Sequence, residues 1–359
     1  MKRVMAAILA IALAFGLSAC GANTDNESFD GFRTIMDGAD RQVQIPQTVE
    51  SIVCVGVGAL RYTCYMQGQD LVVGVEDYET KAGISRLYNY VNFDRFSTLP
   101  VIGTNGEPFV EEIIAVNPQV IVMSAYASVD ADDLQNKTGI PVVVVPGSET
   151  TLDQGTFDTI RILGELLGKE ERVQELTAYL RGIEEDLGRR TEGIDDKPTA
   201  YVGGVSFKGN HGFDGTEANY GPFKLIKANN LADTTEQTGA FNIDVEQVLQ
   251  WDPDVIFLDF NGLSLIEEDY ASDPGFYNNL TAVREGRVYS QISFRSYASN
   301  LETALADAYY AAIVMYPERF EGIDIEEKTA EIFEMLLGSN PYPDLKEAGY
   351  EVRSITIGS

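Results

Sequence analysis

The chain contains one pattern twice: Val110-Glu-Glu-Ile-Ile-Ala-Val-Asn-Pro-Gln-Val-Ile-Val-Met-Ser124 and Val245-Glu-Gln-Val-Leu-Gln-Trp-Asp-Pro-Asp-Val-Ile-Phe-Leu-Asp259. Five of the fifteen aligned positions are identical. Each copy has apolar residues at helical spacing, then a proline that ends the helix, then an apolar run typical of a buried parallel strand. The repeat predicts two related lobes, each with a helix that leads into a strand. An alternative is that the two copies share only a generic helix–strand pattern.

The rest of the chain alternates strand-like and helical patterns, which is typical of an α/β protein. The strand-like runs are Gln42–Ile45, Ser51–Val55, Leu71–Val75, Val120–Met123, Val142–Val145, Ala200–Val205, Val255–Leu258 and Val288–Gln291. The longest helical pattern runs from Phe157 to Arg190, with Gly168 as a point of interruption. We therefore expect two Rossmann-like lobes with parallel-rich sheets, at 37–155 and 193–359. A long rigid α-helix within 156–192 joins them, and a ligand cleft lies between the lobes.

The first twenty residues have the features of an export signal. A basic start, Met1-Lys-Arg, precedes an apolar run that is shorter than the roughly twenty residues needed to span a membrane. The run ends in Leu17-Ser-Ala-Cys20, which resembles the lipobox of bacterial lipoproteins. This resemblance implies that residues 1–19 are removed and that a lipid on the Cys20 sulfur anchors an extracytoplasmic protein to the membrane. We predict that residues 20–36 form a flexible tether.

The chain is strongly acidic, with 26 basic and 56 acidic residues and a formal net charge of −30. Such a protein is repelled by phosphates and by anionic lipids, which excludes nucleic acid as a partner and leaves membrane attachment to the lipid on Cys20.

Cys54 and Cys64 both lie among apolar residues. We predict two separate buried thiols, although an extracytoplasmic compartment also permits a disulfide.

Further motifs occur in a defined order along the mature chain. They are Asp40-Arg-Gln-Val-Gln-Ile-Pro46, the two Asn/Asp-Pro-x-Val-Ile units, and Asn300-Leu-Glu-Thr-Ala-Leu-Ala-Asp-Ala-Tyr-Tyr310 followed by Tyr316-Pro-Glu-Arg-Phe320. Their order resembles that of the substrate-binding proteins of ABC importers, in which the first motif belongs to an opening hairpin. Within that family the chain is similar to the class for iron complexes and cobalamin, whose lobes are joined by one long helix.

The resemblance implies a monomeric receptor that needs neither catalysis nor a cofactor. It implies that the ligand is a metal chelate, first of all an iron-siderophore, with a corrinoid, haem or another anionic metabolite as alternatives. The partner is an ABC permease with its cytoplasmic ATPase. In this class a glutamate at the tip of each lobe docks onto the permease, and the matching residues are Glu111 and Glu246. The repeat places both at equivalent points near a helix N-terminus, where ordinary first-turn glutamates are also favoured.

Ligands of parallel sheets bind at the carboxyl ends of strands, so the segments after each strand hold the candidate binding residues. Basic and aromatic side chains are found there, and the candidates are Arg61, Tyr126, Lys208, His211, Arg295 and Tyr297. Positive side chains are scarce in this chain, which suggests that these bind an anionic group and that the tyrosines supply flat walls. Arg295 stands where we expect an asparagine in close relatives, which leaves the ligand's identity open.

His211 is the only histidine, which excludes a three-histidine zinc site and predicts no metal site built from side chains. Its expected role is a hydrogen bond to the ligand or to the loop backbone, with coordination of a chelated metal as an alternative. A surface hydrolase or chelatase that uses His211 with Asp214 or Glu217 is a second hypothesis, but the chain has no Gly-x-Ser-x-Gly motif. A structural or adhesive lipoprotein is the third, and it requires no basic, aromatic cleft.

Overall fold

A computed structural model describes residues 31–148 and 150–358 of the chain. The predicted signal, the lipidated Cys20 and the first part of the predicted tether lie outside these ranges. Among the helices within them, none is both long and apolar enough to cross a membrane.

The described chain alternates strands and helices throughout. The strands are β1 (Phe32–Met36), β2 (Gln42–Pro46), β3 (Ile52–Val55), β4 (Val72–Glu76), β5 (Val101–Thr104), β6 (Glu107–Pro108), β7 (Val120–Ser124), β8 (Val142–Val145), β9 (Thr199–Gly203), β10 (Gly215–Ala218), β11 (Asn229–Asn230), β12 (Gly239–Asn242), β13 (Val255–Asp259) and β14 (Val288–Gln291). The helices are α1 (Ala59–Tyr65), α2 (Leu87–Tyr90), α3 (Phe93–Phe96), α4 (Val110–Val116), α5 (Ala131–Thr138), α6 (Gln154–Leu167), α7 (Glu170–Arg190), α8 (Gly221–Leu225), α9 (Val245–Trp251), α10 (Phe260–Ser272), α11 (Pro274–Asn279), α12 (Thr281–Arg284), α13 (Leu301–Met315), α14 (Ile325–Leu337) and α15 (Tyr342–Glu347).

Each lobe is built on its own parallel-rich sheet, as predicted. The N-terminal lobe has a sheet in the order β6-β5-β4-β3-β7-β8, in which only β6 runs antiparallel to its neighbour. The C-terminal lobe has the order β11-β9-β13-β14, and all its pairs are parallel. Because helices cover both faces of such sheets, strands such as β8 and β13 are buried along their whole length.

The sequence repeat occupies the same position in the two sheets. In the first copy α4 leads into β7, and in the second α9 leads into β13. Each helix ends at a residue in the left-handed conformation, Asn117 with φ 50° and Asp252 with φ 43°, directly before the proline. Asparagine and aspartate tolerate this conformation better than most residues, so they end the helix at a defined point and turn the chain into the strand.

The connection between the lobes consists of two helices, and the break between them lies at the predicted point, Gly168. Gly168, with φ 63°, ends α6, and α7 begins two residues later. The 21 residues of α7 extend about 30 Å. Its buried stripe of Leu176, Leu180, Ile183 and Leu187 packs into the core that it shares with both lobes.

The folded body begins earlier than the predicted end of the tether at residue 36. The segment Phe32–Met36 is strand β1, which pairs antiparallel with β2 and buries Ile35. This pairing forms the opening hairpin that the resemblance implied. In the described part of the chain Cys54 and Cys64 are both buried and free, as predicted, so they form no disulfide with each other.

Candidate functional site

A cleft of about 1150 Å³ lies between the lobes, at the carboxyl ends of their parallel strands. The N-terminal lobe contributes residues that follow β3, β5, β7 and β8, among them Asn105 and Tyr126. The C-terminal lobe contributes residues that follow β9, β13 and β14, among them Lys208, Asn261 and Arg295. The cleft therefore lies where the strand pattern predicted it, because the strands of each lobe's main sheet that line it are parallel and end at the same edge.

Four of the six predicted ligand-binding residues line this cleft: Tyr126, Lys208, Arg295 and Tyr297. The two tyrosines are partly exposed to solvent, 47% at Tyr126 and 44% at Tyr297. The Tyr126 hydroxyl donates a hydrogen bond to the Ser148 carbonyl oxygen at 3.0 Å. Such partly exposed rings offer flat apolar faces with a polar tip.

Arg295 is paired with a carboxylate behind the cleft wall. Its Nε lies 3.0 Å from Oε2 of Glu217, its Nη2 bonds the other carboxylate oxygen, and its Nη1 lies 3.1 Å from the Ser299 hydroxyl. Glu217 is buried on β10. Burial acts to lower the pKa of Arg295, but the charge and the hydrogen bond of Glu217, together with smaller contributions from Tyr220 and Tyr126, outweigh it and the pKa is raised. The sequence contains no signal for this pair, because Glu217 does not follow a parallel strand.

Lys208 lines the cleft on the loop after β9, in the left-handed conformation with φ 50°. Within residues 31–148 and 150–358, no carboxylate forms an ion pair with it. Its charge is therefore available to a ligand.

His211 lies behind the cleft wall and does not line it. Its ring stacks on Phe207 at 3.9 Å between centroids, and its Nε2 lies 2.9 Å from the Phe207 carbonyl oxygen. The expected bond to the loop backbone is present, and the predicted contact of His211 with the ligand stays a prediction. Glu217 is paired with Arg295, and among the described residues neither Asp214 nor Glu217 forms a hydrogen bond or ion pair with His211, so the contacts that the hydrolase hypothesis requires are not formed.

Arg61 is fully buried and holds the lobes together instead of facing the cleft. Its guanidinium donates to the carbonyl oxygens of Ser296 at 2.8 Å, Tyr297 at 2.7 Å and Ser299 at 3.1 Å, all on the other lobe. It also lies 4.8 Å from the centre of the Tyr88 ring. In this structure Arg61 does not line the cleft, because carbonyl oxygens engage its guanidinium, and its predicted contact with the ligand stays a prediction.

The Tyr297 side chain is likewise held by the N-terminal lobe. Its ring stacks on Tyr78 at 4.4 Å between centroids, and the Arg86 guanidinium lies 5.0 Å from its centre. Tyr297 and Ala298 have φ values of 51° and 69°, which are costly for residues with a Cβ. The contacts to Arg61, Tyr78 and Arg86 compensate for this strain and fix the cleft-facing segment 295–299.

The two predicted docking glutamates are both exposed in the first turn of a helix, Glu111 on α4 and Glu246 on α9.

In the part of the chain that the structure describes, no group of three or more histidine, cysteine, aspartate or glutamate side chains is arranged to hold a metal ion.

Two α/β lobes joined by a pair of helices, with a large ligand cleft between them, define a solute-binding protein of the extracytoplasmic type. Residues 69–291 match the family described as periplasmic binding protein, and the chain belongs to this family. It is the substrate-binding protein of an ABC transporter, and it binds its solute without catalysis.

Curated relatives match the chain in sequence, and solved structures match its fold. The chain is 26% identical over 218 residues to the Fe(3+)-citrate-binding protein YfmC of Bacillus subtilis, a match that covers 60% of the chain and just under two thirds, 65%, of YfmC. It is 20% identical to the molybdate-binding protein MolA of Haemophilus influenzae over 337 residues, 87% of the chain and 93% of MolA. The structure of MolA bound to molybdate has a TM-score of 0.66 and covers 86% of this chain and 98% of that one. A periplasmic solute binding protein from Veillonella parvula has a TM-score of 0.69 at 19% identity, with 86% and 94% covered.

Proposed function

We propose that this protein captures a metal chelate, in the first place an iron-siderophore, and delivers it to an ABC permease with a cytoplasmic ATPase. The observation that supports this most directly is the size of the cleft. A volume of about 1150 Å³ suits an organic ligand of the size of a drug molecule or larger. The relatives named for ferric citrate and molybdate support a metal-containing ligand, although each name belongs to that protein alone.

The ligand contacts are assigned to the four predicted residues that line the cleft. Lys208 supplies a positive charge, Arg295 supplies hydrogen-bond donors, and Tyr126 and Tyr297 supply aromatic surfaces. A corrinoid, haem or another anionic metabolite would use the same groups, so the residues alone do not separate these ligands from a siderophore.

Docking to the permease is assigned to Glu111 and Glu246. The helix α4 begins five residues after Asn105, and α9 begins five residues after Ala240, and both of these earlier residues line the cleft. Each glutamate is therefore close along the sequence to a residue that lines the cleft, one on each lobe. Paired exposed carboxylates in this arrangement suit two positively charged sites on a permease.

Membrane attachment is assigned to a lipid on Cys20. Only about ten residues separate Cys20 from the start of the folded body, which would hold the receptor close to the membrane surface where the permease lies. The receptor is proposed to act as a monomer.

The test is identification of the bound solute, followed by titration. Native mass spectrometry of the protein purified from its own host is expected to show a co-purified metal chelate. Titration is followed through tyrosine fluorescence and Trp251, and Lys208→Gln is expected to weaken binding of the identified ligand about ten- to a hundredfold. The matched control is Lys137→Gln, on an exposed lysine of α5 outside the cleft. A metal-free solute, or equal affinities for the two variants, contradicts the proposal.

A further inference from the structure

We infer that the cleft selects metal chelates of low net charge and that Glu217 sets this selectivity. This inference rests on the proposed function, because it specifies the charge of the chelate that the same cleft accepts. It depends on which charges face the ligand and which are already balanced inside the protein.

The cleft presents little positive charge. Of the described residues that line it, only Lys208 and Arg295 carry a charged side chain. The side chain of Glu217 is 2% exposed and that of Arg295 is 23% exposed, so the pair is largely removed from water. Buried charges are stable only when they are paired, and this pair has no net charge. The cleft wall therefore offers a ligand one uncompensated positive charge, that of Lys208.

Arg295 remains a hydrogen-bond donor although its charge is balanced. A guanidinium has five N–H groups, and the contacts to Glu217 and Ser299 use three of them. The other two are left for oxygen atoms of a ligand. Donors of this kind recognise neutral carbonyl-type oxygens as well as anionic ones, without requiring that the ligand bring a negative charge.

The rest of the cleft wall also suits an uncharged organic framework. The exposed rings of Tyr126 and Tyr297 provide flat apolar surfaces, and Asn105, Asn210 and Asn261 provide neutral donors and acceptors. A free tetrahedral oxyanion would leave most of the 1150 Å³ unfilled. The formal charge of −30 on the whole chain further opposes the approach of a multiply negative ligand.

These features favour a neutral chelate over a strongly anionic one. Iron(III) bound by three hydroxamate groups forms a neutral complex, because each group carries one negative charge. Iron(III) bound by three catecholate groups forms a triply negative complex. The structure therefore assigns the trihydroxamate type, or another chelate of similarly low charge, to this cleft.

The test is a fluorescence titration of the purified protein with one ferric trihydroxamate and one ferric tricatecholate of similar size. The parent protein is expected to bind the neutral chelate at least about tenfold more tightly.

Glu217→Gln keeps the shape of the side chain and an acceptor for Arg295 but adds one net positive charge beside the cleft. We expect it to strengthen tricatecholate binding at least about tenfold relative to trihydroxamate binding. The matched control is Glu285→Gln, which removes the partner of Arg287 at a pair outside the cleft and is expected to leave the ratio unchanged.

Two outcomes overturn the inference while the proposed function stands: the parent protein prefers the tricatecholate, or Glu217→Gln changes the affinity ratio less than twofold. If the Glu217 variant does not fold, the relative affinity of the parent protein for the two chelates still tests the inference, since that measurement requires no substitution. If neither chelate binds and no metal chelate co-purifies with the protein, both the inference and the proposed function are wrong.

Discussion

Replacement of the buried Arg61 by methionine is expected to loosen the contact between the lobes and to weaken ligand binding. Methionine has a similar length but no N–H groups, so the carbonyl oxygens of Ser296, Tyr297 and Ser299 lose their charged donor. Each such hydrogen bond contributes about 1.5–3 kcal/mol. Part of the loss is recovered because a cation no longer has to be buried, and we expect unfolding to become easier by about 3–5 kcal/mol.

The effect on binding follows from the segment that Arg61 holds. Residues 295–299 carry Arg295 and Tyr297 into the cleft and contain two residues with left-handed backbone conformation. Without the Arg61 donors the strained segment is free to relax, which displaces both ligand contacts. Affinity is therefore expected to fall together with stability.

The measurement is urea unfolding followed by circular dichroism and by Trp251 fluorescence, combined with titration of the co-purified ligand. The matched control is Arg172→Met. Arg172 is also buried and donates to the carbonyl oxygens of Tyr65, at 3.0 Å, and Met335, but it lies away from the cleft. This control is expected to lose stability and to keep its affinity. The reasoning is refuted if Arg61→Met costs less than about 1 kcal/mol, or if both variants lose the same affinity.

Three further predictions concern the anchor, the docking surface and pH. Cys20→Ala is expected to release the protein into soluble fractions with ligand binding intact, and membrane retention of this variant would contradict the lipid anchor. Charge reversal at Glu111 and Glu246 is expected to abolish uptake in a transport assay at unchanged affinity, whereas weaker binding would place these residues in the cleft. Burial raises the pKa of Asp259 from 3.8 to about 7, so the folded state binds a proton there that the unfolded state has released. Stability is therefore expected to fall as pH rises from about 4 to 7, by at most about 1.4 kcal/mol per pH unit, and Asp259→Asn should remove this part of the slope in urea midpoints measured across the range.

The position of the cleft could be predicted from the sequence, and so could most of its wall. Strand patterns located the segments after β3, β7, β9, β13 and β14, and the structure shows residues from each of them in the cleft. The contacts that individual side chains make were harder to predict from the sequence. The sequence patterns did not distinguish Arg61, Lys208, His211 and Arg295. In the described chain Arg61 and His211 are engaged by backbone carbonyl oxygens and Arg295 by Glu217, and of the four only Lys208 has neither kind of partner.

The amino-acid sequence by itself determined the fold class, the two lobes and the helical connection. Periodicity, turn residues and the repeat are local properties, and a strand or helix is specified by residues that are close along the chain. Only the tertiary structure decided which cations remain available to a ligand. Arg295 meets a carboxylate 78 positions away, and Arg61 meets carbonyl oxygens more than 230 positions away. Such pairs depend on how the lobes pack, because a charge is free or balanced according to its neighbours in space.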